Sequence, residues 1–228
     1  FTSSGSESDN WAIKGTALAK KEFGNHIITS SVEHAAVSNS VRALENLGFR
    51  ITVLPVDKNG QVNPEDLKEA LDKETILVSI MGVNNEIGTI QPIKAISKVL
   101  EDYPNVTFHV DNVQALGKDV WDEVFTDRVD LMSLSAHKFH APRGVGILYK
   151  KEGKMIKPLI DGGGQEKALR SSTENLPAIA ATARAMRLYL ADEKKNAEQE
   201  LAVKNKIVSY LNGKPGIHIF SPINDNFV

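Results

Sequence analysis

Four apolar segments of the sequence each end in a cluster of polar side chains that could take part in catalysis. The clusters are Ser30-Ser31-Val32-Glu33-His34, Gly82-Val83-Asn84-Asn85-Glu86, Asp111 with Gln114 three residues later, and Ser135-Ala136-His137-Lys138. Together they supply one lysine amine, one aspartate directly at the end of an apolar segment, imidazoles, side-chain amides and hydroxyl groups. This combination points to a specific kind of chemistry.

A lysine amine can form a Schiff base with a carbonyl compound or an aldehyde cofactor. A carboxylate can keep a pyridine nitrogen protonated, so that the ring withdraws electrons from a substrate bonded to it. Amides can hydrogen-bond a phenolic oxygen, an imidazole can stack on the ring, and hydroxyl groups near a helix N-terminus can bind a phosphate. The four clusters therefore predict a pocket for pyridoxal phosphate.

Each residue also has an ordinary structural interpretation. A lone lysine is usually a solvated surface group, although the position of Lys138 between His137 and Phe139 predicts a side chain turned away from solvent. Asp111 could cap the segment that follows it, and His34 could lie in the first turn of a helix. His137 could be a hydrogen-bonded core residue. Two further serines, Ser6 and Ser8, could be helix N-caps, and such a helix N-terminus could still bind a phosphate.

Strands and helices must position these groups. Predicted strands alternate with predicted helices along the first 150 residues, as in an α/β sheet with crossover helices. The predicted strands are 26–30, 50–55, 75–81, 106–111, 130–135 and 144–150. The predicted helices are 7–21, 34–47, 63–71, 92–101 and 118–125, with the pairs Asn63-Pro64 and Gln91-Pro92 as helix starts. In a mostly parallel sheet, the carboxyl ends of the strands meet at one edge, so the four clusters would lie together there.

The C-terminal quarter has a different composition. Residues 177–211 are rich in Ala, Leu, Arg, Lys and Glu and predict one long helix, and residues 217–220 predict a strand. We therefore expect a large cofactor-binding domain at residues 1–190. Residues 191–228 would hold the end of a linking helix and the start of a smaller α+β domain, and both ends of the chain are expected to be cut from a longer polypeptide.

Composition excludes several classes of protein. The chain has 228 residues, 41% hydrophobic and 25% charged, with a formal net charge of −2, which is typical of a globular protein and gives no general attraction to nucleic acid or anionic membranes. It has no cysteine, and therefore no disulfide, thiolate metal site or cysteine nucleophile. No apolar stretch could span a bilayer and no signal segment opens the chain, so a cytoplasmic location is expected.

Other enzyme signatures are incomplete. The sequence has no Gly-x-Ser-x-Gly elbow and no phosphate-binding P-loop, and Arg143-Gly144-Val145-Gly146 does not complete a dinucleotide fingerprint. His137 and His140 are three residues apart but have no acidic residue between them, as the zincin motif would require. No metal site is predicted.

Six segments resemble, in order, the cysteine desulfurases, which are pyridoxal-phosphate enzymes of fold type I in the class V aminotransferase group. The segments are Phe1-Thr2-Ser3-Ser4-Gly5-Ser6-Glu7-Ser8, Ser31-Val32-Glu33-His34-Ala35-Ala36-Val37, Val83-Asn84-Asn85-Glu86-Ile87-Gly88, His109-Val110-Asp111-Asn112-Val113-Gln114, Ser133-Leu134-Ser135-Ala136-His137-Lys138, and Gly162-Gly163-Gly164-Gln165-Glu166 followed by Leu169-Arg170-Ser171-Ser172-Thr173-Glu174-Asn175. They span nearly the whole chain and look like the branch that serves iron–sulfur assembly.

The resemblance implies a role for each residue of the clusters. Lys138 would bind the cofactor covalently and later move protons at the substrate α-carbon. Asp111 would pair with the pyridinium nitrogen, and His34 would stack on the ring. Gln114 would hydrogen-bond the ring hydroxyl oxygen, while Asn85 would lie beside the cofactor on the substrate side.

It also implies a phosphate site and partners. Gly5, Ser6, Ser135 and His137 would hold the phosphate, and Thr173 would reach the phosphate of the other subunit in a homodimer. The substrate would be L-cysteine, the product L-alanine, and the sulfur would pass as a persulfide to an acceptor or scaffold protein. The persulfide-carrying cysteine and the arginine that binds the substrate carboxylate would lie beyond Val228, so this chain alone is expected to be inactive in sulfur transfer.

The chain departs from the family pattern at several positions. The family usually has Gly-Ala-Thr where this chain has Ser4-Gly5-Ser6. Asn112 replaces a small residue, Lys167-Ala168 replaces Arg-Gly, and Ser172 replaces a glycine. Two other functions stay open: another class V enzyme, such as an aminotransferase or selenocysteine lyase, or a catalytically silent paralogue that serves in binding or dimerisation.

Overall fold

A computed structural model describes residues 1–221 of the chain. Its strands are β1 His26–Ser30, β2 Arg50–Leu54, β3 Thr75–Met81, β4 Thr107–Asp111, β5 Leu131–Ser135 and β6 Gly146–Lys150. Its α-helices are α1 Gly5–Asn10, α2 Thr16–Lys20, α3 Ala35–Glu45, α4 Pro64–Ala70, α5 Ile93–Glu101, α6 Trp121–Val124, α7 Gln165–Ala168, α8 Leu176–Ala191 and α9 Glu193–Leu211. A π-helical turn, Trp11–Gly15, joins α1 to α2, and a 3₁₀ turn, Ala136–Phe139, follows β5.

The strands form one sheet in the order β2-β1-β3-β4-β5-β6. Strands β1 to β5 are parallel, and β6 pairs with β5 in the antiparallel direction. The predicted mostly parallel α/β sheet is therefore confirmed. Because β1, β3, β4 and β5 are neighbours, their carboxyl ends lie side by side at one edge.

Alternating side chains of the strands pack against two layers of helices. Ile28 and Val78 belong to a large apolar cluster that includes side chains of α4, α5 and α8. The residues next to them in sequence, Ile27 and Leu77, face the opposite layer, with side chains of α2 and α3. The sheet is thus covered on both faces, which explains why its central strands are buried along their whole length.

The predicted single helix over 177–211 is wrong. Two helices form, α8 and α9, and they separate at Asp192, whose φ of −109° and ψ of 15° are not helical. Helix α8 buries Thr182 and Tyr189 against the sheet layer, whereas α9 buries none of its residues. The spacing of apolar residues in the sequence predicts helical structure. It does not show where one helix ends and the next begins in a new direction.

Other expected element boundaries also differ. Residues 217–220 form no strand, because within residues 1–221 no other strand pairs with them. The helix predicted at 118–125 is reduced to α6. Asn63 caps α4 as expected, but Gln91 does not cap α5: its side chain donates to the Gly60 carbonyl and accepts from the Val62 N–H.

The described residues contain no helix that is long and apolar enough to cross a membrane.

Helix α8 braces the loops that follow β4 and β5 through Tyr189. The Tyr189 ring lies edge-on to His140, with 5.3 Å between ring centroids, and an added Cβ at Gly117 would come within 2.0 Å of the same ring. Gly117 also has a φ of +75°. We expect Gly117→Ala to lower the free energy of unfolding by about 3 kcal/mol, because strain at a left-handed φ adds to overpacking.

Gly153→Ala is the matched control for that substitution. Gly153 has a similar φ of +78° but an added Cβ would meet no atom within 4 Å, so only the conformational cost of about 1 kcal/mol is expected. Urea unfolding of both variants measures the difference. Equal losses in the two variants would show that Tyr189 does not hold the loop at Gly117.

Candidate active site

A cavity of about 320 Å³ opens at the carboxyl ends of the central strands. Its walls include nine of the ten predicted cofactor-binding residues: Gly5, Ser6, His34, Asn85, Asp111, Gln114, Ser135, His137 and Lys138. The other residues in its walls are Ser4, Asp9, Met81, Val83 and Val113. The sheet therefore brings together the side chains that the sequence pattern assigned to one edge.

The parallel strands explain how residues far apart in sequence meet. Asp111 and Ser135 are the last residues of β4 and β5, and Met81 is the last residue of β3. His34 follows β1 and precedes the first residue of α3. Because neighbouring parallel strands end at the same edge, these groups converge on one space.

Lys138 lies in the 3₁₀ turn after β5. The expectation that it avoids solvent is wrong: Lys138 is exposed, and Phe139 occupies the buried position of the turn. The amine-bearing side chain lies in the wall of the open cavity. The turn ends at His140, whose left-handed φ of 64° redirects the chain toward β6.

Asp111 makes a local hydrogen bond and also lines the cavity. The Val113 N–H donates to its Oδ1 at 3.0 Å, as in a local cap, and the residue is only 4% exposed. Burial raises the pKa of Asp111, while this hydrogen bond and the nearby charges of His34 and Lys138 act in the opposite direction. Among the described residues, the hydrogen bond from Val113 is the only one to this carboxylate, so Oδ2 is free to accept a ligand donor.

His34 likewise begins a helix and lines the cavity. Its Nδ1 accepts a hydrogen bond from the Ala36 N–H at 3.1 Å, which caps α3. This contact makes Nδ1 an acceptor and leaves a proton for Nε2 when the ring is neutral. The cap fixes the ring at the cavity wall.

One end of the cavity is built from hydroxyl groups and the start of α1. Ser135 Oγ lies 3.0 Å from His137 Nδ1. An added Cβ at Gly5 would lie 2.9 Å from Val113 Cγ2 and 3.1 Å from Ser135 Cβ, so the glycine allows α1 to approach the end of β5 closely. Burial and the charges of Lys138 and Arg143 lower the pKa of His137.

The N-cap of α1 is Ser4, not Ser6 or Ser8. Ser4 Oγ accepts from the Glu7 N–H at 3.1 Å. Ser8 is buried, 2.7 Å from the Thr2 hydroxyl, whereas Ser6 is exposed in the cavity wall. The hydroxyl of Ser6 is therefore not used by the cap.

The loop after β3 is held by Asn84. Its Oδ1 accepts from the N–H groups of Glu86 and Ile87, at 2.9 and 3.0 Å. This places Asn85 at the border between the 320 Å³ cavity and a larger one of about 790 Å³ beside α9; Gln114 lies at the same border.

Thr173 is the predicted site residue that does not join the others. It lines a separate cavity of about 200 Å³ with Arg170. Two departures from the family pattern lie nearby: Ala168 has a φ of 60° and Ser172 a φ of 157°. The backbone thus has glycine-like conformations at both positions where this chain lacks the glycine. Asn112 points elsewhere, since its Nδ2 donates to the Val124 carbonyl.

Sequence reasoning missed two buried acids, Asp9 and Glu33. Part of Glu33 is exposed, but its Oε1 accepts from the Ser30 hydroxyl and the Met81 N–H, and its Oε2 is buried without a hydrogen-bond partner. Burial raises the pKa of Glu33 to about 8. The position of Glu33 directly before His34 was the available signal. For Asp9 there was no signal in the sequence except that the predicted helix 7–21 also carries apolar residues that are buried.

Glu33 should make the protein less stable as the pH rises. Its carboxyl group has an ordinary pKa of 4.5 and a raised pKa of about 8 in the folded chain, so between these values the folded state binds more protons than the unfolded state. The stabilisation is complete below pH 4.5 and is lost as the pH rises to about 8, at up to about 1.4 kcal/mol per pH unit.

Urea unfolding of the parent and Glu33→Gln between pH 6.5 and 8 measures this effect. The buried His26 and His109, whose pKa values are lowered from 6.5, are uncharged in that window. We expect a shallower decline of stability for Glu33→Gln. Parallel curves would show that Glu33 is already ionised in the folded chain.

The donor set fits pyridoxal phosphate. The cavity offers one amine, one buried carboxylate with a free oxygen, an imidazole at its wall and hydroxyl groups at one end. Each matches a different part of the cofactor: the aldehyde, the ring nitrogen, the ring face and the phosphate. Within residues 1–221, no group of three or more His, Cys, Asp or Glu side chains could hold a metal ion.

Comparison with known proteins shows the family of this chain. The family model "Aminotransferase class-V" matches residues 1–226. A "NifS/IcsS protein homolog" from Lactobacillus delbrueckii subsp. bulgaricus is 72% identical over 227 residues, which are 100% of this chain and 59% of that protein. A "Cysteine desulfurase IscS" from Clostridium botulinum is 46% identical over 223 residues, which are 97% of this chain and 56% of that protein.

Solved structures show the same fold. A "NifS-like protein" superposes with a TM-score of 0.92 at 40% sequence identity, covering 99% of this chain and 62% of that one. This confirms the predicted fold class, the pyridoxal-phosphate fold type I. The chain spans less than three-fifths of the length of the two curated relatives, about 59% and 56%. On the match along nearly its whole length, the chain belongs to the class V aminotransferase family, whose cofactor is pyridoxal phosphate.

Proposed function

We propose that the chain is the cofactor-binding part of a cysteine desulfurase, which removes sulfur from L-cysteine and yields L-alanine. The observation that carries this proposal is the meeting of Lys138, Asp111 and His34 in one cavity. The similarity to relatives named cysteine desulfurase favours this activity over others in the family. The domain division at residue 190 belongs to the same proposal.

In this proposal the ring is held by four side chains. Lys138 binds the cofactor covalently and then acts as the base and acid at the substrate α-carbon, which its place in the wall of the open cavity allows. Asp111 accepts a hydrogen bond from the ring nitrogen through its free oxygen. His34 stacks on the ring, and Gln114 donates to the ring hydroxyl oxygen.

Ser6, Ser135 and His137 would hold the phosphate, and Gly5 lets α1 approach closely enough for its N–H groups to contribute. Asn85 faces the substrate side. When bound, pyridoxal phosphate supplies a ring that withdraws electrons from the substrate α-carbon and so makes proton removal there easier.

Thr173 is proposed to act across a homodimer. It lies in a different cavity from Lys138 within one chain, which agrees with a role at the partner's phosphate. The sulfur would be accepted by a cysteine that these 228 residues do not contain, and would pass to an acceptor or scaffold protein that serves iron–sulfur assembly in the cytoplasm.

The first test is a visible absorption spectrum of the purified chain after incubation with pyridoxal phosphate. Borohydride reduction and peptide mapping then locate the attachment. A cofactor band with the label on Lys138 supports the proposal. If neither this chain nor the complete, folded gene product bound the cofactor, a silent binding paralogue would be favoured.

A second assay separates the desulfurase from other class V enzymes. The complete gene product is incubated with L-cysteine, and alanine and sulfide are measured. Alanine formation supports the desulfurase. A keto acid product with no alanine would instead identify an aminotransferase.

A further inference from the structure

Asp9 is a buried acid in the cavity wall, and no lysine or arginine within residues 1–221 forms an ion pair with it. It is 1% exposed, and its Oδ1 has no hydrogen-bond partner. In the described residues, the basic side chain paired with Asp9 is His109, whose Nε2 lies 3.7 Å from Asp9 Oδ1. An ionised carboxylate in such a place would be costly to desolvate.

His109 cannot supply the missing charge. Its Nδ1 lies 2.8 Å from Ser79 Oγ and its Nε2 lies 2.9 Å from Ser133 Oγ, so two serine hydroxyls occupy both ring nitrogens. The residue is completely buried, and burial lowers its pKa to about 3. At neutral pH the imidazole beside Asp9 is therefore uncharged.

Asp111 faces the same cavity but has neighbours that stabilise a negative charge. It accepts the Val113 N–H, and the positive charge of Lys138 favours its ionised form. Burial and the charge of Asp111 raise the pKa of Asp9 well above its ordinary value, while the Ser133 hydroxyl acts in the opposite direction. Of the two acids, Asp111 is the one that the surroundings stabilise as an anion.

We propose that Asp9 is a positioning residue of this site: it holds a proton, keeps the negative charge of the cavity on Asp111, and offers an uncharged carboxyl group as a hydrogen-bonding partner to the bound cofactor. The part of this inference that concerns the cofactor rests on the proposed function. The position of the proton does not, because it concerns the unloaded chain.

Infrared spectroscopy of the unloaded chain at pH 6.5 tests the position of the proton. Protonated carboxyl groups give a C=O stretching band above the amide I band. We expect Asp9→Asn to remove one component of this band and Glu33→Gln to remove another. Asp72→Asn is the control, since Asp72 is exposed and ion-paired with Arg50, and it should leave the band unchanged. An unchanged band in Asp9→Asn would overturn the proposal.

Cofactor affinity tests the positioning role. Asp9→Leu removes the hydrogen-bonding group, and we expect it to weaken pyridoxal phosphate binding about tenfold, as for the loss of one hydrogen bond. Asp9→Asn, which resembles the protonated acid, should restore the affinity. Equal weakening in both variants would show that cofactor binding needs a charged Asp9. Unchanged affinity in Asp9→Leu would show that Asp9 has no role in cofactor binding. Either result contradicts the proposal. If the complete gene product binds no cofactor, the proposed function fails, while the infrared result still decides where the proton lies.

Discussion

Lys138→Ala is expected to abolish covalent attachment of pyridoxal phosphate to the chain. Lys138 supplies the amine in the walls of the 320 Å³ cavity, so its loss leaves no nucleophile there that could bond to the aldehyde. The measurement is the mass of the chain after incubation with pyridoxal phosphate and borohydride reduction. The parent should gain one cofactor, and the variant none.

Lys118→Ala is the matched control. Lys118 lies in the adjacent larger cavity, where it pairs with Glu200, and supplies an amine close to the site if the cofactor were held less specifically. This variant should keep the full adduct. An adduct of equal yield in Lys138→Ala, mapped to Lys118 or to any other lysine, would remove Lys138 from the proposed role.

Asp111→Asn should weaken pyridoxal phosphate binding by roughly 10- to 100-fold. The substitution keeps an oxygen that can accept the Val113 N–H, but it removes the negative charge that would face the ring nitrogen. A hydrogen bond to a charged group contributes about 1.5 to 3 kcal/mol, which corresponds to that loss of affinity. Titration of the chain with pyridoxal phosphate, followed by absorbance, gives the two dissociation constants.

Asp119→Asn controls for the change in net charge. Asp119 lines only the larger cavity, and its left-handed φ of 56° suits asparagine as well as aspartate. The Asp119→Asn variant should bind the cofactor with the same affinity as the parent chain. If Asp111→Asn bound as tightly as Asp119→Asn, the carboxylate at the end of β4 would not contact the ring.

The strand ends could be predicted because the signal for them is local. Strands β1 and β3 have the bounds predicted from their apolar runs, and the polar residues that follow must then lie at the shared edge of a parallel sheet. The convergence of Asp111 and Lys138 needed no knowledge of the order of the strands. The meeting of Asp111 and Lys138 in one cavity was therefore accessible from sequence.

The rest of the site depends on contacts between residues distant in sequence. Asp9 belongs to a polar stretch at the start of a helix and would be placed in solvent by its type alone. Its burial follows from the packing of α1 against α3, β5 and β6, where the Oδ1 of Asp9 lies 3.7 Å from His109 Nε2 of β4. Likewise, Tyr189 near the end of α8 lies against Gly117, which is 72 residues away in the chain, and local sequence carries no signal for such a contact.

The π-helical turn Trp11–Gly15 has a consequence for the relation between the core and the active site. A π-turn accommodates one more residue than an α-turn, so it is equivalent to a single-residue insertion in a helix. Asp9 precedes this insertion and faces the cavity, whereas Ile13 and Ala17 pack in the core. One residue corresponds to about 100° of rotation around a helix axis. The inserted residue therefore rotates α1 relative to α2 about the helix axis. Asp9 can then face the cavity while Ala17 faces the core, although both lie on one continuous stretch of helix.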